Sequence, residues 1–566
     1  MPGVVISTAL RTGPSVQLTN QASQAFFVGL ADRGPVNVAV LCRTLEDFES
    51  IFGGYISSSL LQPSVEMFFE EGGTQCYIAR VVGTTTTTGT LALHETASTS
   101  FTVTNKALAS NVATLTTSAA HGLVAGDVVI VANVDATFNG THTVVASATA
   151  TTFTFAKTAS TVASAAVSTA NARVTKGLVS ILLTANGPGA YSSTIDAQVI
   201  AGTVANTYNV KLFVDDVLVG VTGNCSSRDV GVGKINTHPQ MSKYVIASAG
   251  SSALVPAVVA ALPLGAGDSD HATVVDASYV AGLTLFNDAL GTGAVACPES
   301  SGATVYDGLL VHANEYSRVA ILHGLSSDSI SQTKTFAQTI ISSDENLEHG
   351  ALYYPWVYAP TAVAGINRLL PPDGYVAGKR SKVVNTSGAH IPSAGINSQA
   401  NFITGVLVDI DRANGDALDE QSVNAIRVIS NTIRIYGARS LSQDTTNFRY
   451  ITSQDTVNGI VTDAYRALEP LVFSPIDGRG SVFAGIEARL ISVLEGYRVS
   501  GALFEAFNVN GQRLDYGYTV KCDATINPAS QLAEGKIKAK VGVRVSSVGD
   551  KIDVEIVKSS LTASVV

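Results

Sequence analysis

A change of composition at Thr84 limits what this chain can fold into more than any other feature of its sequence. Five consecutive threonines begin there, and residues 84–185 are rich in Ala, Ser, Thr and Val that tend to alternate with a period of two. This period is typical of half-buried β-strands, and almost no helical pattern accompanies it. We therefore interpret residues 84–185 as a small β-domain inserted into a larger protein.

The segment before this insertion has a mixed pattern. Residues 26–30 read as a buried strand, and Thr44 opens a segment with the spacing of a capping box. A second helix follows, and the strand at 75–82 is apolar on both faces, which is typical of a central strand. Residues 21–83 therefore predict a compact β-α-α-β unit, preceded by an arm of small and polar residues at 1–20.

The segment after the insertion divides into three parts. Residues 186–255 predict a β-rich domain, and strands alternate with helices over 256–440, as they do in α/β domains. Residues 441–546 form a C-terminal core domain, and 547–566 form a second arm. The fold class is therefore a multidomain α+β or α/β protein, in keeping with its 566 residues.

The C-terminal domain carries the clearest periodicities. One face of a helix near 481–497 is apolar, with members Phe483, Ile486, Leu490, Val493, Leu494 and Tyr497. Apolar residues then alternate with charged or small ones over 537–545 and again over 552–556, where Ile552, Val554 and Ile556 are the apolar set. These patterns predict two half-buried strands joined at residues 547–550.

The charge balance excludes several functions. Only 14% of residues are charged and the formal net charge is −10, which disfavours a nucleic-acid-binding protein because phosphate contacts need a basic surface. Low surface charge suggests a molecule that packs against partners. No signal sequence or membrane span is evident, and five scattered cysteines favour folding in a reducing cytoplasm.

No motif in the sequence requires an enzyme. Residues 374–381 resemble a P-loop but have one residue too few between the glycines, and we predict a structural turn there. Asp268, Asp270 and His271 form the nearest acidic cluster, which a surface loop explains better than a cation site. His121 and His142 also fit turn and strand positions.

A nucleophilic site is the remaining catalytic alternative. His323, Ser326 and Asp328 follow a buried strand, where α/β folds place their active loops, but they lack the Gly-x-Ser-x-Gly pattern of a nucleophile elbow. We therefore expect no catalytic residues, no metal and no cofactor.

Many short elements of the chain resemble the contractile tail sheath proteins of bacteriophages. In chain order these elements are Pro2-Gly3-Val4, Phe27-Val28-Gly29, Arg33 to Asn37, Phe48 to Gly53, Phe68 to Gly73, Ile78 to Val81, Pro371 to Gly378, Asn424 to Arg427, Tyr436 to Leu441, Gly501 to Leu503 and Cys522 to Pro528. Their number and order identify the resemblance, which covers residues 1–83 and 350–560. Tyr436 replaces the Trp of the family pattern. The inserted domain separately resembles a β-module of viral structural proteins.

The resemblance implies a fold and a mechanism. The fold is an α/β core built from N- and C-terminal segments, with β-rich insertions and extended arms. Subunits stack as hexameric rings around a tail tube and lend arm strands to the sheets of their neighbours. The strand donors would be Val4, Val5 and Ile6 in one arm and Ile552, Val554 and Ile556 in the other. Without the resemblance, frayed ends or pairing inside the same domain explain the arms better than strand donation does.

The resemblance also implies partners. These are other copies of the chain, the tail tube protein, and baseplate and tail terminator proteins, in a virion tail assembled in the host cytoplasm, with neither nucleic acid nor membrane contacted. Arg479, Arg489 and Arg498 are candidates for a tube-facing surface, and a core-packed helix with a solvated basic edge is the alternative. A phage-like injection particle, a non-contractile virion protein and a hydrolase remain open as other functions.

Overall fold

The computed structural model describes most of the chain as two compact units. It covers residues 22–95, 99–169, 172–361, 363 and 365–550, together with the backbone of two short strands, β1 (Val5–Ile6) and β2 (Ala9–Leu10). Unit 1 comprises Met1–Ala31, Pro35–Gly83 and His271–Val566, and unit 2 comprises Asp32–Gly34 and Thr84–Asp270. Helices and strands are mixed, in agreement with the predicted fold class.

Unit 1 begins with the β-α-α-β segment. Its elements are β3 (Ala25–Gly29), β4 (Ala39–Cys42), α1 (Leu45–Phe52), α2 (Leu61–Glu70) and β5 (Cys76–Arg80). Thr44 caps α1 by accepting a hydrogen bond from the N–H of Asp47 at 3.0 Å. The Asp47 carboxylate reaches back to the N–H of Arg43 rather than to Thr44, which completes a variant of the predicted capping box.

Unit 2 is built almost entirely from strands. Its elements are β6 (Thr90–His94), β7 (Thr99–Ala109), β8 (Val112–Thr117), β9 (Val128–Ala132), β10 (Gly140–Thr149), β11 (Thr152–Ala156), β12 (Val162–Ala166), β13 (Arg173–Lys176), β14 (Val179–Ala185), β15 (Ile195–Ala201), β16 (Tyr208–Val214), β17 (Val217–Val221), α3 (Arg228–Thr237), α4 (Met241–Tyr244), β18 (Val245–Ala249) and β19 (Val259–Pro263). Residues 256–270, which the sequence assigns to the α/β region, lie in this unit because β19 pairs with β15.

Six of these strands close into a barrel. The order is β7, β8, β11, β10, β9 and β13, and β13 pairs back with β7, so all neighbours are antiparallel. Closure removes the sheet edges that an open sheet of this composition would expose. The interior is filled by apolar residues of the period-two pattern, including Phe153, Phe155 and Val174. The remaining strands form a three-stranded sheet, β18-β14-β6, and a four-stranded sheet, β17-β16-β15-β19, around a second core.

The remainder of unit 1 supplies most of its sheet and all of its C-terminal layer. The elements are α5 (Asp276–Leu283), β20 (Ala294–Ala296), α6 (Ala303–Glu315), β21 (Val319–His323), α7 (Ile330–Ser343), β22 (Gly350–Tyr354), β23 (Val357–Pro360), β24 (Asn367–Leu370), α8 (Asp373–Ser387), β25 (Gly405–Val406), α9 (Arg412–Asp419), β26 (Val423–Ile429), β27 (Thr432–Tyr436), α10 (Ile451–Leu468), α11 (Ser481–Val499), β28 (Ala506–Phe507), β29 (Arg513–Asp515), β30 (Tyr518–Lys521), α12 (Ala529–Ala533) and β31 (Lys540–Val543).

An eight-stranded sheet forms the centre of unit 1. Its order is β27-β26-β22-β21-β20-β3-β5-β4, with parallel pairing throughout except at the two antiparallel edge strands. Helices cover both faces, so the inner strands are apolar on both sides. In β3, for example, Phe27 packs into the core on one face and Phe26 into the core on the other. Segments from before and after unit 2 therefore contribute to one α/β core.

The C-terminal layer has apolar cores of its own. Ala464, Ile486 and Leu490 form one small cluster, and Ile460 and Leu494 belong to another, both separate from the two cores of the sheet. The buried residues of α10 are mostly polar instead: Thr452, Ser453, Gln454, Asp455, Thr456, Asn458 and Thr462. Across the described ranges, no helix has the length and apolar character that crossing a bilayer would require.

Candidate assembly surface

Within the described residues, the C-terminal sheet consists of two strands. β30 and β31 are antiparallel, with Thr519 opposite Gly542 and Lys521 opposite Lys540. The N–H of Arg544 donates to the carbonyl of Gly517 at 2.7 Å, and this bond fixes which residues of β31 face β30. Because hydrogen-bonded and non-hydrogen-bonded pairs alternate in antiparallel ladders, the even-numbered residues of β31 bond to β30 and the odd-numbered ones point away.

Residues 502–504, which precede β28 in the chain, bond to the segment after β31 on the same side as β30. Ala502 accepts a hydrogen bond from the N–H of Ser546 at 2.9 Å, and Phe504 donates its N–H to the carbonyl of Arg544 at 2.8 Å. Both bonds use even-numbered residues of the β31 segment. The backbone groups of Val541 and Val543 therefore face the opposite edge, where no further strand pairs within the described part of the chain. We call this the open edge of β31.

One face of this small sheet packs on helices. Val520 and Val543 contact the cluster of Ile460 and Leu494, which joins the sheet to α10 and α11. Val541, two residues from Val543 and therefore on the same face, remains 37% exposed at the open edge. Isolated two-stranded sheets are marginally stable, and an unprotected edge is a template for another strand. The open edge thus has the geometry of a strand acceptor.

The three arginines proposed from the sequence have different environments. Arg479 is exposed just before α11, and exposed Arg489 donates to the carbonyl of Ala467 at 2.9 Å. Arg498 is ion-paired with Glu495 at 2.7 Å and Glu505 at 2.6 Å, and its hydrogen bonds hold the pKa of both carboxyls below their usual values. The charge of Arg498 is therefore already compensated inside the subunit. Which residues face the tube remains a prediction.

Of the residues proposed for the arm strands, Val5 and Ile6 lie among those that the structure describes. Val5 and Ile6 form β1, which pairs with β2 in an antiparallel ladder. Val4, Ile552, Val554 and Ile556 lie outside the described residues. The role of both arms in assembly therefore stays a prediction.

A buried arginine anchors the root of the C-terminal arm. Arg439 bonds both carboxylate oxygens of Asp419, at 2.7 and 2.6 Å, and donates to Asp550 at 2.8 Å. Burial and the neighbouring Asp550 carboxylate raise the pKa of Tyr450. Sequence reasoning placed Arg439 in a resemblance motif without giving it a role. Its acidic partners lie 20 and 111 residues away along the chain, so local sequence held no signal for the contact.

The predicted turn at the segment that resembles a P-loop is wrong, because this segment is helical. Residues 374–381 lie inside α8. A Cβ atom at Gly374 would lie 2.1 Å from the carbonyl oxygen of Ser64, and one at Gly378 would lie 2.6 Å from that of Phe68. The two glycines share one helix face because they are four residues apart. They let α8 approach α2 closely, which explains the glycine spacing without a phosphate.

The basic residues that follow these glycines, Lys379 and Arg380, form buried ion pairs. Lys379 bonds Glu71 at 2.6 Å, and Arg380 bonds both oxygens of Asp455, at 2.9 and 2.6 Å. Arg380 also donates to the carbonyl of Ala22 at 2.6 Å. These contacts join α8 to α2 and to α10, so the side chains have structural roles.

The residues of the other candidate catalytic and metal sites also make structural contacts. His323 is buried and hydrogen-bonds Asp373 at 3.0 Å, whereas Asp328 accepts the N–H of Leu325 at 2.8 Å. Asp270 accepts the N–H of Thr85. Among the residues that the structure describes, no group of three or more His, Cys, Asp or Glu side chains is placed to hold a metal ion.

The two barrel histidines contact different aromatic residues. His121 meets Phe153 edge-on with ring centroids 5.4 Å apart, and His142 stacks on Phe155 at 3.9 Å. Burial lowers the pKa of both imidazoles. Each ring therefore serves as an aromatic packing group of the barrel.

Comparison with known proteins identifies the fold. The sheath tail protein of Listeria innocua is similar over 89% of both chains, with a TM-score of 0.54 and 10% sequence identity. The chain has the tail sheath fold. This confirms the family resemblance read from the sequence elements. No family model and no curated protein matches the chain.

Two further solved sheath proteins cover most of the chain. The contracted sheath complex of an extracellular contractile injection system covers 99% of this chain and 98% of its own, with 13% identity and a TM-score of 0.49. A sheath tail protein of Desulfitobacterium hafniense covers 91% and 93%, with 11% identity and a TM-score of 0.48.

Proposed function

We propose that the protein is the sheath subunit of a contractile tail. Subunits would polymerise as stacked hexameric rings around a tail tube and contract to drive the tube through a host envelope. The open edge of β31 is the observation that carries this proposal, because it gives each subunit an acceptor for a strand of another copy. The tail sheath fold supports the same assignment.

The C-terminal arm has a sequence that complements this acceptor. Ile552, Val554 and Ile556 alternate with charged residues, so a paired arm strand would place all three apolar side chains on the face that carries Val541. The opposite face of β31 carries Lys540 and Arg544, and the arm supplies acidic Asp553 and Glu555 on its matching face. Opposite charges across a strand pair are stabilising. The two strands therefore match in both hydrophobicity and charge.

Strand exchange also explains how subunits stay joined during contraction. About five inter-strand hydrogen bonds at a net ~1 kcal/mol each would stabilise each arm by a few kcal/mol. The segment Thr12–Ser15, with its Gly, Pro and Ser residues, would let subunits rotate while the N-terminal arms remain paired. Contraction is then a switch between two packings of the same subunits and needs no nucleotide. The tube, baseplate and tail terminator would be the other partners.

Electron microscopy of the purified protein tests this function. The full chain should form tubules without any cofactor, and removal of residues 1–18 or 551–566 should shorten or abolish them. Long normal tubules from both truncations would refute strand donation by the arms. Shells or trimers would indicate a non-contractile virion protein. A small soluble species whose hydrolase turnover depends on Ser326 or His323 would indicate an enzyme.

A further inference from the structure

After β31, the described chain continues along α10 as far as Asp550. Ala539 packs against the cluster of Ala464, and Val543 packs against that of Ile460. Each step toward the C-terminus thus moves toward the N-terminal end of α10. Asp550 arrives at that end, where it contacts Tyr450, the residue that precedes the helix. Residues 539–550 therefore follow α10 in one direction without reversing.

A reversal here would be harmful to a polymer that grows by strand exchange. A hairpin with residues 546–549 as its loop would set Val541 opposite Val554 and lay the arm of the same chain on the open edge. Such a strand competes at an effective concentration in the millimolar range, because a short linker holds it close to the edge. A self-paired subunit could neither accept nor donate this strand.

The contacts of Arg439 are suited to prevent that reversal. Its side chain is 4% exposed and is held by both oxygens of Asp419, which ends α9. Its backbone is fixed as well, because Asn424 accepts its N–H at 2.6 Å and donates to its carbonyl at 2.9 Å. Arg439 is therefore a rigid point on the α/β core, and Asp550 binds to it at 2.8 Å.

We propose that Arg439 anchors Asp550 so that the C-terminal arm cannot fold back on its own β31 and is directed to a neighbouring copy. Asp550 is a positioning residue in this proposal, which rests on the proposed function. The contact of Arg439 with Asp550, directly before the arm, would thus determine whether a subunit caps itself or joins a polymer.

Disulfide trapping in dilute monomer tests the anchor directly. The reporter carries Val541→Cys and Val554→Cys, which face each other only in the self-paired hairpin, and the cysteines at 42, 76, 225, 297 and 522 are buried. It is combined with Asp550→Ala, with Asp550→Glu, or with Glu534→Ala as a matched control that removes an exposed acid paired with Lys536. Non-reducing electrophoresis after mild oxidation measures the intrachain disulfide.

The expected result separates this proposal from the function itself. Asp550→Ala should raise the intrachain disulfide fraction about five-fold, as loss of one partly exposed ion pair allows. Asp550→Glu and Glu534→Ala should leave that fraction at the level of the reporter alone. Equal fractions with and without Asp550→Ala would overturn the anchor. A full chain that never forms tubules would refute the proposed function, while the disulfide fractions would still decide the role of Arg439.

Discussion

Replacing Val541 by proline should weaken polymerisation without unfolding the subunit. Proline removes one backbone N–H, and that of Val541 points to the open edge rather than to β30. The φ angle that proline requires is compatible with an edge strand. The internal hydrogen bonds of the subunit therefore remain, and only the bond to an incoming strand is lost.

The size of the effect follows from the unpaired group. The carbonyl of the incoming strand would be left without a donor in the interface, at a cost of about 1–3 kcal/mol per subunit. Since about 1.4 kcal/mol changes an equilibrium constant ten-fold, the critical concentration for tubules should rise about 5- to 150-fold. Sedimentation of the polymer over a range of protein concentrations measures this quantity directly.

Two control variants isolate the backbone effect. Val541→Ala shortens the side chain but keeps the N–H, so it should polymerise close to the unmodified protein. Gly542→Pro removes an N–H on the side that bonds Thr519, so it should lower the unfolding temperature. If Val541→Pro polymerised at the unmodified critical concentration with an unchanged unfolding temperature, the open edge would not be an acceptor and the reasoning would fail.

Two further predictions concern stability. Gly378→Ala should lower the free energy of unfolding by about 1–3 kcal/mol in urea denaturation, because its Cβ would lie 2.6 Å from the carbonyl of Phe68, whereas Gly496→Ala in α11 meets open space and should not destabilise. His312 is buried beside Arg318, and both its burial and the Arg318 charge hold the pKa of its imidazole well below the usual value. As the pH falls below about 6.5, His312 therefore takes up a proton in the unfolded chain but not in the folded protein. Stability should therefore decrease by about 1.4 kcal/mol per pH unit from this group, and His312→Gln should flatten the slope between pH 5 and 6.5; an unchanged slope would contradict the assignment.

Local periodicity was enough to predict several elements. The apolar run at 26–30 forms a strand that is buried on both faces, and the helix read near 481–497 is α11, which buries Ile486, Leu490 and Leu494 of its predicted face. These patterns arise because one element meets one core, so the signal lies within a few residues. The order of the resemblance elements likewise predicted the tail sheath fold.

Contacts between residues far apart in the chain are not predictable from local periodicity. The spacing of Gly374 and Gly378 predicts a turn, because spacing alone does not distinguish a loop from a helix face that needs close packing against α2. Closure of the β-barrel depends on β13 returning to β7, which no local pattern encodes. The sequence does not predict the open edge of β31 either, because an edge strand is one that pairs on one side alone, and local sequence does not specify pairing partners.

The barrel of unit 2 has a consequence for how this chain could be altered. The strands through which the chain enters and leaves it, β6 and β14, pair directly, with Val179 opposite His94 and the N–H of Glu95 bonded to Leu178 at 3.0 Å. A short turn in place of 96–177 would leave these two strands as an ordinary hairpin. A variant that lacks the barrel should therefore keep the pairing of β6 with β14, and a foreign domain inserted at the same point should leave that pairing intact.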